Sequence, residues 1–232
     1  MSDNEPGSES PERAARKQLA FFGRISSSVS HEINNVLTSI TEVAGLLEDL
    51  AAAASQGRAL DPAKISKNID TISRQTARGV SIIKTFNKFA HSTDEPVMSF
   101  DAGAMTENLC SLSRRLADIK NLKLEFVQPS SQIMMSSSPF SFQQAVFACI
   151  SGALAGGERG GAISVSIEKD EPMVKVTVKI GPIAETAAVQ AGLDDARAIV
   201  ESMSGRFESP GAVDGNTVSV ALMFPRVAEG MV

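Results

Sequence analysis

From Phe22 to Leu50 the chain places an apolar residue at every third or fourth position: Phe22, Ile25, Val29, Ile33, Val36, Ile40, Val43, Leu47 and Leu50. A spacing of three and four, sustained over several heptads, makes one continuous stripe along an α-helix. It predicts a helix from Glu12 to about Ala54. The segment AAAASQGRALDP then interrupts the pattern, because Gly57 can end a helix, Asp61 can N-cap another and Pro62 suits its first turn. Ile65, Ile69, Ile72, Thr76, Val80, Ile83 and Phe86 resume the spacing to about Ala90. Two helices of unequal length, with one seam each, cannot cover both seams. Pairing two such hairpins into a four-helix bundle closes them, so a homodimer is expected.

Outside the hairpin the patterning changes. Residues 1–11 are acidic and rich in Ser and Pro without apolar periodicity, which predicts a disordered leader before a helical domain over 12–92. After a hinge-like HSTDEPVMS, short elements over 99–226 predict an α/β sandwich. A helix starts at the N-cap Asp101 and runs to Lys120. LKLEFVQ and QIMMS read as strands, PFSFQQAVFACISGALA as a buried helix, and GGERGG as a flexible break. AISVSIEKD and MVKVTVKI alternate about the turn Asp170-Glu171-Pro172, a hairpin signal. ETAAVQAGLDDARAIVESMSG reads as a helix ended by Gly205, and RFESP and NTVSVALMF as the last strands. The fold class expected is α+β.

A net charge of -5 disfavours nucleic acid and anionic membranes as partners, since no basic patch offsets it. The two cysteines, Cys110 and Cys149, fit no metal-ligand spacing and read as small core residues, so no metal is expected. The near-apolar stretch Ala145 to Gly157 is too short to cross a bilayer and the first residues carry no signal-peptide pattern. A cytoplasmic protein is the expectation.

Ser30-His31-Glu32-Ile33-Asn34-Asn35 is the segment richest in chemistry. His31 falls between the core positions Val29 and Ile33, so helical geometry turns it outward. Glu32 can accept a hydrogen bond from one ring N–H, leaving the other nitrogen nucleophilic, and can stabilise an imidazolium. Asn35 lies one turn along on the face of His31, where its amide can orient a water or a phosphoryl oxygen. An ordinary solvated helix face with a polar i, i+4 pair fits the same residues.

SHEINNVLTSI resembles the H-box of bacterial sensor histidine kinases, whose pattern is S-H-E-L/I-x-T/N-P-L-x-x-I. The order of elements from about residue 15 to 226 is also similar to that family's core. The resemblance implies a four-helix dimerisation bundle followed by a Bergerat-type (GHKL) ATPase-like sandwich, with His31 as phosphoacceptor, Glu32 as its acid/base partner and Asn35 as the amide associated with aspartyl-phosphate hydrolysis. Val36 stands where the family has proline, which removes a helix bend. The second domain departs further. In the run similar to the family's nucleotide helix, SPFSFQQAVFACISGA, Ala148 and Gly152 replace the two asparagines that hold magnesium and phosphates, and neither can ligate a cation. Lys179, ahead of Gly181, replaces the carboxylate that receives the adenine amine. Gly192-Leu193, followed by two aspartates, is all that remains of the last glycine motif, and the segment from Gly181 to Gly192 is too short for a nucleotide lid. The glycines Gly156, Gly157, Gly160 and Gly161 follow a helix instead of opening one and do not make a phosphate loop.

The resemblance thus implies a dimeric histidine phosphotransferase of a phosphorelay with a degenerate ATP site. It would exchange a phosphoryl group at His31 with response-regulator receiver domains, bind no cofactor of its own, and rely on Mg²⁺ supplied by the receiver. An upstream hybrid kinase is a further expected partner. Two alternatives use the same residues: a response-regulator phosphatase working through Asn35, and a non-catalytic pseudokinase interaction module.

Overall fold

The structure, a computed structural model, describes residues 10–209, 212–213 and 216–226. Two helices form a long hairpin, α1 (Pro11–Ser55) and α2 (Pro62–Ala90). Each end follows from local chemistry. Ser10 caps α1 and places Pro11 in its first turn, one residue earlier than the sequence suggests, and Gly57 takes a positive φ of 83° just beyond the helix. A left-handed backbone there suits glycine and stops the helix. Asp61 accepts the Ala63 N–H at 3.0 Å and Pro62 opens α2. The leader expected before Ser10 lies outside the described residues.

The seam predicted for α2 divides in two. Ile65, Ile72, Gly79, Ile82, Phe86 and Phe89 are covered, whereas Ile69, Val80 and Ile83 are 50%, 47% and 49% exposed. Leu37 and Leu46 of α1 are 54% exposed as well. The helix is turned so that Gly79 faces α1. A Cβ on Gly79 would stand 3.3 Å from Val36 Cγ1, so the two helices approach closely at Val36.

Beyond a single 3₁₀ turn at His91–Thr93, eight strands and three helices build a two-layer sandwich. These are β1 (Met98–Asp101), α3 (Ala102–Ile119), β2 (Lys123–Val127), β3 (Met134–Ser137), α4 (Pro139–Gly156), β4 (Gly157–Asp170), β5 (Met173–Ile183), α5 (Thr186–Ser202), β6 (Arg206–Glu208), β7 (Ala212–Val213) and β8 (Thr217–Pro225). The main sheet has the order β2-β4-β5-β8-β6 with β7 beside β8, while β1 and β3 form a separate antiparallel pair. The α+β architecture is therefore the one expected, with two differences. The hinge segment ends in a strand, β1, because Phe100 is buried and Asp101 ties the strand end to α3 by accepting the Gly103 N–H at 3.0 Å. GGERGG is not a break either: Gly157 opens β4, and the extra residues are taken up where the register with β5 shifts between Gly157 and Ala162. A bulge of this kind lets glycines remain inside a paired strand.

The hairpin and the sandwich share one core. Phe21, Ile25, Val29 and Phe89 belong to the same apolar cluster as Phe142, Ile150 and Val176. Phe21 meets the Phe89 ring edge-on at a centroid distance of 5.3 Å and lies 4.9 Å from the Phe147 ring of α4. Edge-to-face aromatic contacts of this type add to the burial of the rings themselves. Asn108 of α3 also donates to the Thr85 carbonyl of α2 at 3.1 Å. The base of the hairpin is thus held to the sandwich by packing on both of its helices.

Cys110 and Cys149 are buried and free of any disulfide, as read from the sequence. Burial pushes both thiols from the ordinary 9.0 up to about 12. The folded chain therefore keeps thiol protons that the unfolded chain releases from about pH 9, and stability should fall as pH rises from about 9 to about 12. At pH 8 neither thiol should react with Ellman's reagent until the chain is denatured; rapid labelling of the native protein would contradict this placement.

Candidate functional site

The buried residues Val29 and Val36 and the half-buried Ile33 fix the rotation of α1 around His31. With those three turned inward, His31 is exposed, and Asn35 is exposed one turn further along, about 6 Å along the axis. Among the described residues no side chain hydrogen-bonds either of them. They form an open face on a rigid helix, which is the geometry a nucleophile needs if its substrate is carried by another protein.

Glu32 is turned toward α2 instead of toward the imidazole. Its Oε1 accepts from Arg78 Nη2 at 2.8 Å, and no hydrogen bond joins it to His31. The expected carboxylate–imidazole contact is therefore absent in this arrangement: one helical step of about 100° carries Glu32 over the α1–α2 groove, where a guanidinium is in reach. Arg78 is the residue that sequence reasoning missed. Its signal is slight, a cation next to Gly79, and becomes informative only once Gly79 is known to be the point of close helix approach. Both members of the pair are partly exposed, with side-chain exposures of 24% for Glu32 and 54% for Arg78, so the pair is worth no more than about 1 kcal/mol to stability. Its effect is geometric: it holds Glu32 over the α1–α2 groove, turned away from His31.

In the sandwich, three of the five positions singled out from the sequence come together. Gly152 of α4 and Gly192 of α5 are in backbone contact, and Ala148 lies one turn from Gly152. A Cβ on Gly152 would stand 2.8 Å from the Val189 carbonyl oxygen and 3.1 Å from Gly192 Cα, and one on Gly192 would stand 2.6 Å from the Ala148 carbonyl oxygen. Such distances leave no room for a side chain on either glycine. Gly192 is therefore a packing residue inside α5 and not part of a loop before it. The other two positions lie elsewhere. Lys179 is exposed between the buried Val178 and Ile180, so it projects from the sheet face opposite the helices. Gly181 sits against Thr217 of β8.

Nothing intervenes between β5 and α5 except Ala184 and Glu185, whose N–H groups both donate to the Gly156 carbonyl at 2.9 Å. That pair of bonds pins the start of α5 to the end of α4. Asp194 and Asp195 are also engaged: Asp194 accepts from Gln190 Nε2 at 2.8 Å, and Asp195 pairs with Lys17 of α1 at 2.7 Å. Among the described residues no group of three or more His, Cys, Asp or Glu side chains is placed to hold a metal ion. No described helix is long and apolar enough to cross a membrane.

No protein-family model and no curated protein matches the chain. Among solved structures it is similar to a histidine kinase from Burkholderia phymatum STM815, at 13% identity over 89% of this chain and 98% of that one, with a TM-score of 0.49. It is similar to the histidine kinase AdeS of Acinetobacter baumannii at 14% identity, over 83% of this chain and 97% of that one, with a TM-score of 0.45. The histidine kinase ThkA, solved in complex with the response regulator protein TrrA, is matched at 19% identity over 93% of this chain and 65% of that one, with a TM-score of 0.47. At these values the likenesses assign the chain to no family.

Proposed function

We propose that this chain is a histidine phosphotransfer protein that accepts and donates a phosphoryl group at His31 with response-regulator receiver domains and does not phosphorylate itself from ATP. What supports this reading is the backbone contact of Gly152 with Gly192, which leaves no room for a side chain where the resemblance would put a nucleotide-binding asparagine, while His31 stays open on α1. In the transfer step one imidazole nitrogen attacks the phosphorus of a receiver's aspartyl phosphate. The N–P bond forms as the P–O bond to the aspartate breaks, the carboxylate leaves with the electron pair, and the ring carries positive charge until a proton is lost. Glu32, the next residue on α1, offsets that charge once it leaves Arg78 and turns toward the ring. The receiver brings its own Mg²⁺, so this chain supplies the nucleophile, the neighbouring carboxylate and a docking face. The test is to mix the full chain with a panel of phosphorylated receivers: label that appears on the chain and is lost in acid supports transfer, and a chain unlabelled by every receiver while free phosphate accumulates supports the phosphatase reading. The exposed amide of Asn35 on the same face is what favours that second reading.

Arg78 enters this proposal as a positioning residue. Arg78→Met should speed transfer by about threefold to tenfold by freeing Glu32 to turn toward the ring, and should have no effect in a Glu32→Gln background. An equal change in both backgrounds would show that Arg78 acts independently of Glu32. Homodimerisation through the exposed apolar residues of the hairpin belongs to the same reading, since Leu37 and Leu46 of α1 and Ile69, Val80 and Ile83 of α2 are large apolar side chains about half exposed. A carboxylate buried at such an interface costs several kcal/mol, so Ile69→Asp should convert a dimer into monomers by light scattering. A parent chain that is monomeric at micromolar concentration would overturn the dimer.

A further inference from the structure

Where α1 crosses α4 and α5 it does not seal against them. A cleft of about 410 Å³ remains, within the range of small-ligand sites. Its floor is the glycine contact of α4 with α5, and its sides are small or aromatic, with Ala148, Ala155 and Ala191 opposite Phe21 and Phe147. Two cations of α1 stand at its mouth and differ in one respect. Lys17 is tied to Asp195 at 2.7 Å. Arg24 has no carboxylate partner among the described residues: its Nη1 donates to Ser151 Oγ at 2.5 Å, and its guanidinium carbon lies 5.6 Å from the centroid of the Phe147 ring. Ser151 takes one of the five N–H donors that a guanidinium carries. An uncompensated, fork-shaped cation at the edge of an apolar cleft is complementary to a carboxylate that has an apolar body. A polyphosphate is not complementary, because a single unpaired cation and the nearby Asp195 cannot balance several negative charges.

We propose that the cleft between α1, α4 and α5 binds an amphipathic monoanion, a single carboxylate on an apolar chain, with Arg24 receiving the carboxylate and the alanine-lined cleft receiving the chain. The bound molecule would bridge the hairpin and the sandwich two turns of α1 before His31, about 10 Å along the helix. This inference does not depend on phosphoryl transfer.

Calorimetric titration of the full chain with decanoate below its micelle concentration, with decanol as the uncharged counterpart, tests it. The parent should bind one decanoate per chain saturably. Arg24→Met should weaken decanoate by roughly tenfold or more, since a charge-assisted contact is lost, and leave decanol unchanged. Ala155→Leu combined with Ala191→Leu, both at exposed positions, should fill the cleft and abolish binding of either probe. Should that filled variant fail to fold by circular dichroism, Arg24→Met, a change at the exposed mouth of the cleft, decides alone. Absence of saturable decanoate binding in the parent, or equal effects of Arg24→Met on decanoate and decanol, would overturn the proposal. Label transfer to His31 is measured separately, so either reading can fail without the other.

Discussion

Replacing His31 by glutamine should abolish acceptance of a radiolabelled phosphoryl group from every receiver that labels the parent chain. An amide has no nucleophilic lone pair comparable to that of imidazole, so the loss should be complete within detection, at least about a thousandfold. Receiver affinity should change little. One exposed side chain contributes modestly to an interface whose energy comes from its buried centre, and a change within about threefold is expected by calorimetry. Asn35→Ala should separate from it, leaving label transfer intact while slowing any loss of phosphate from the receiver. Because both side chains are exposed on one face of α1, a docked receiver reaches either after a small rotation, and the two substitutions report different chemistry on the same docked complex. If His31→Gln takes up label as fast as the parent, the phosphoacceptor assignment is wrong and the interaction-module reading replaces it.

Replacing Gly152 by asparagine should destabilise the fold and confer no nucleotide affinity. The new Cβ would lie 2.8 Å from the Val189 carbonyl oxygen and 3.1 Å from Gly192 Cα. Both neighbours are backbone atoms, so relief requires α5 to move away from α4. Overpacking of this kind costs roughly 3 kcal/mol or more, which for a chain of this size lowers the melting temperature by about 6–12 °C. The bonds of Ala184 and Glu185 to Gly156 resist that movement. Ala148→Asn is the informative companion: Ala148 is only half-buried and borders the cleft, so this variant should fold at nearly the parental temperature. Neither variant should bind ATP with Mg²⁺ at millimolar concentration in a calorimeter. Saturable ATP binding by the parent or by either variant would falsify the absence of a nucleotide site.

Much of the fold was legible because its elements are governed by short-range rules. Asp61 and Asp101 sit at helix starts where their side chains accept backbone N–H groups, and the 3.6-residue apolar period located α1 and α2 to within about two residues. The β4–β5 hairpin was legible from alternation about Glu171-Pro172, and Val174, Val176, Val178 and Ile180 do form one buried row. What misled was composition without context. GGERGG reads as a break because glycine weakens a strand on average, yet here a register shift against β5 absorbs it. The α2 seam was read as one stripe because Ile69, Val80 and Ile83 are as apolar as Ile72 and Ile82, and hydrophobicity alone does not say which of two adjacent stripes faces α1.

By itself the sequence determined the element order and the outward placement of His31 and Asn35. Each depends on residue type and helical period, and both are local. Only the tertiary structure decided three further matters. Glu32 is paired with Arg78, which is 46 residues away. Gly152 and Gly192 are in contact, so their lack of side chains is a packing requirement. Arg24, unremarkable on a helix rich in polar residues, stands without a carboxylate partner among the described residues, over a cleft that forms only where three helices meet. The physical reason is common to all three: distances between elements follow from how whole faces fit together, and no spacing along one helix encodes them.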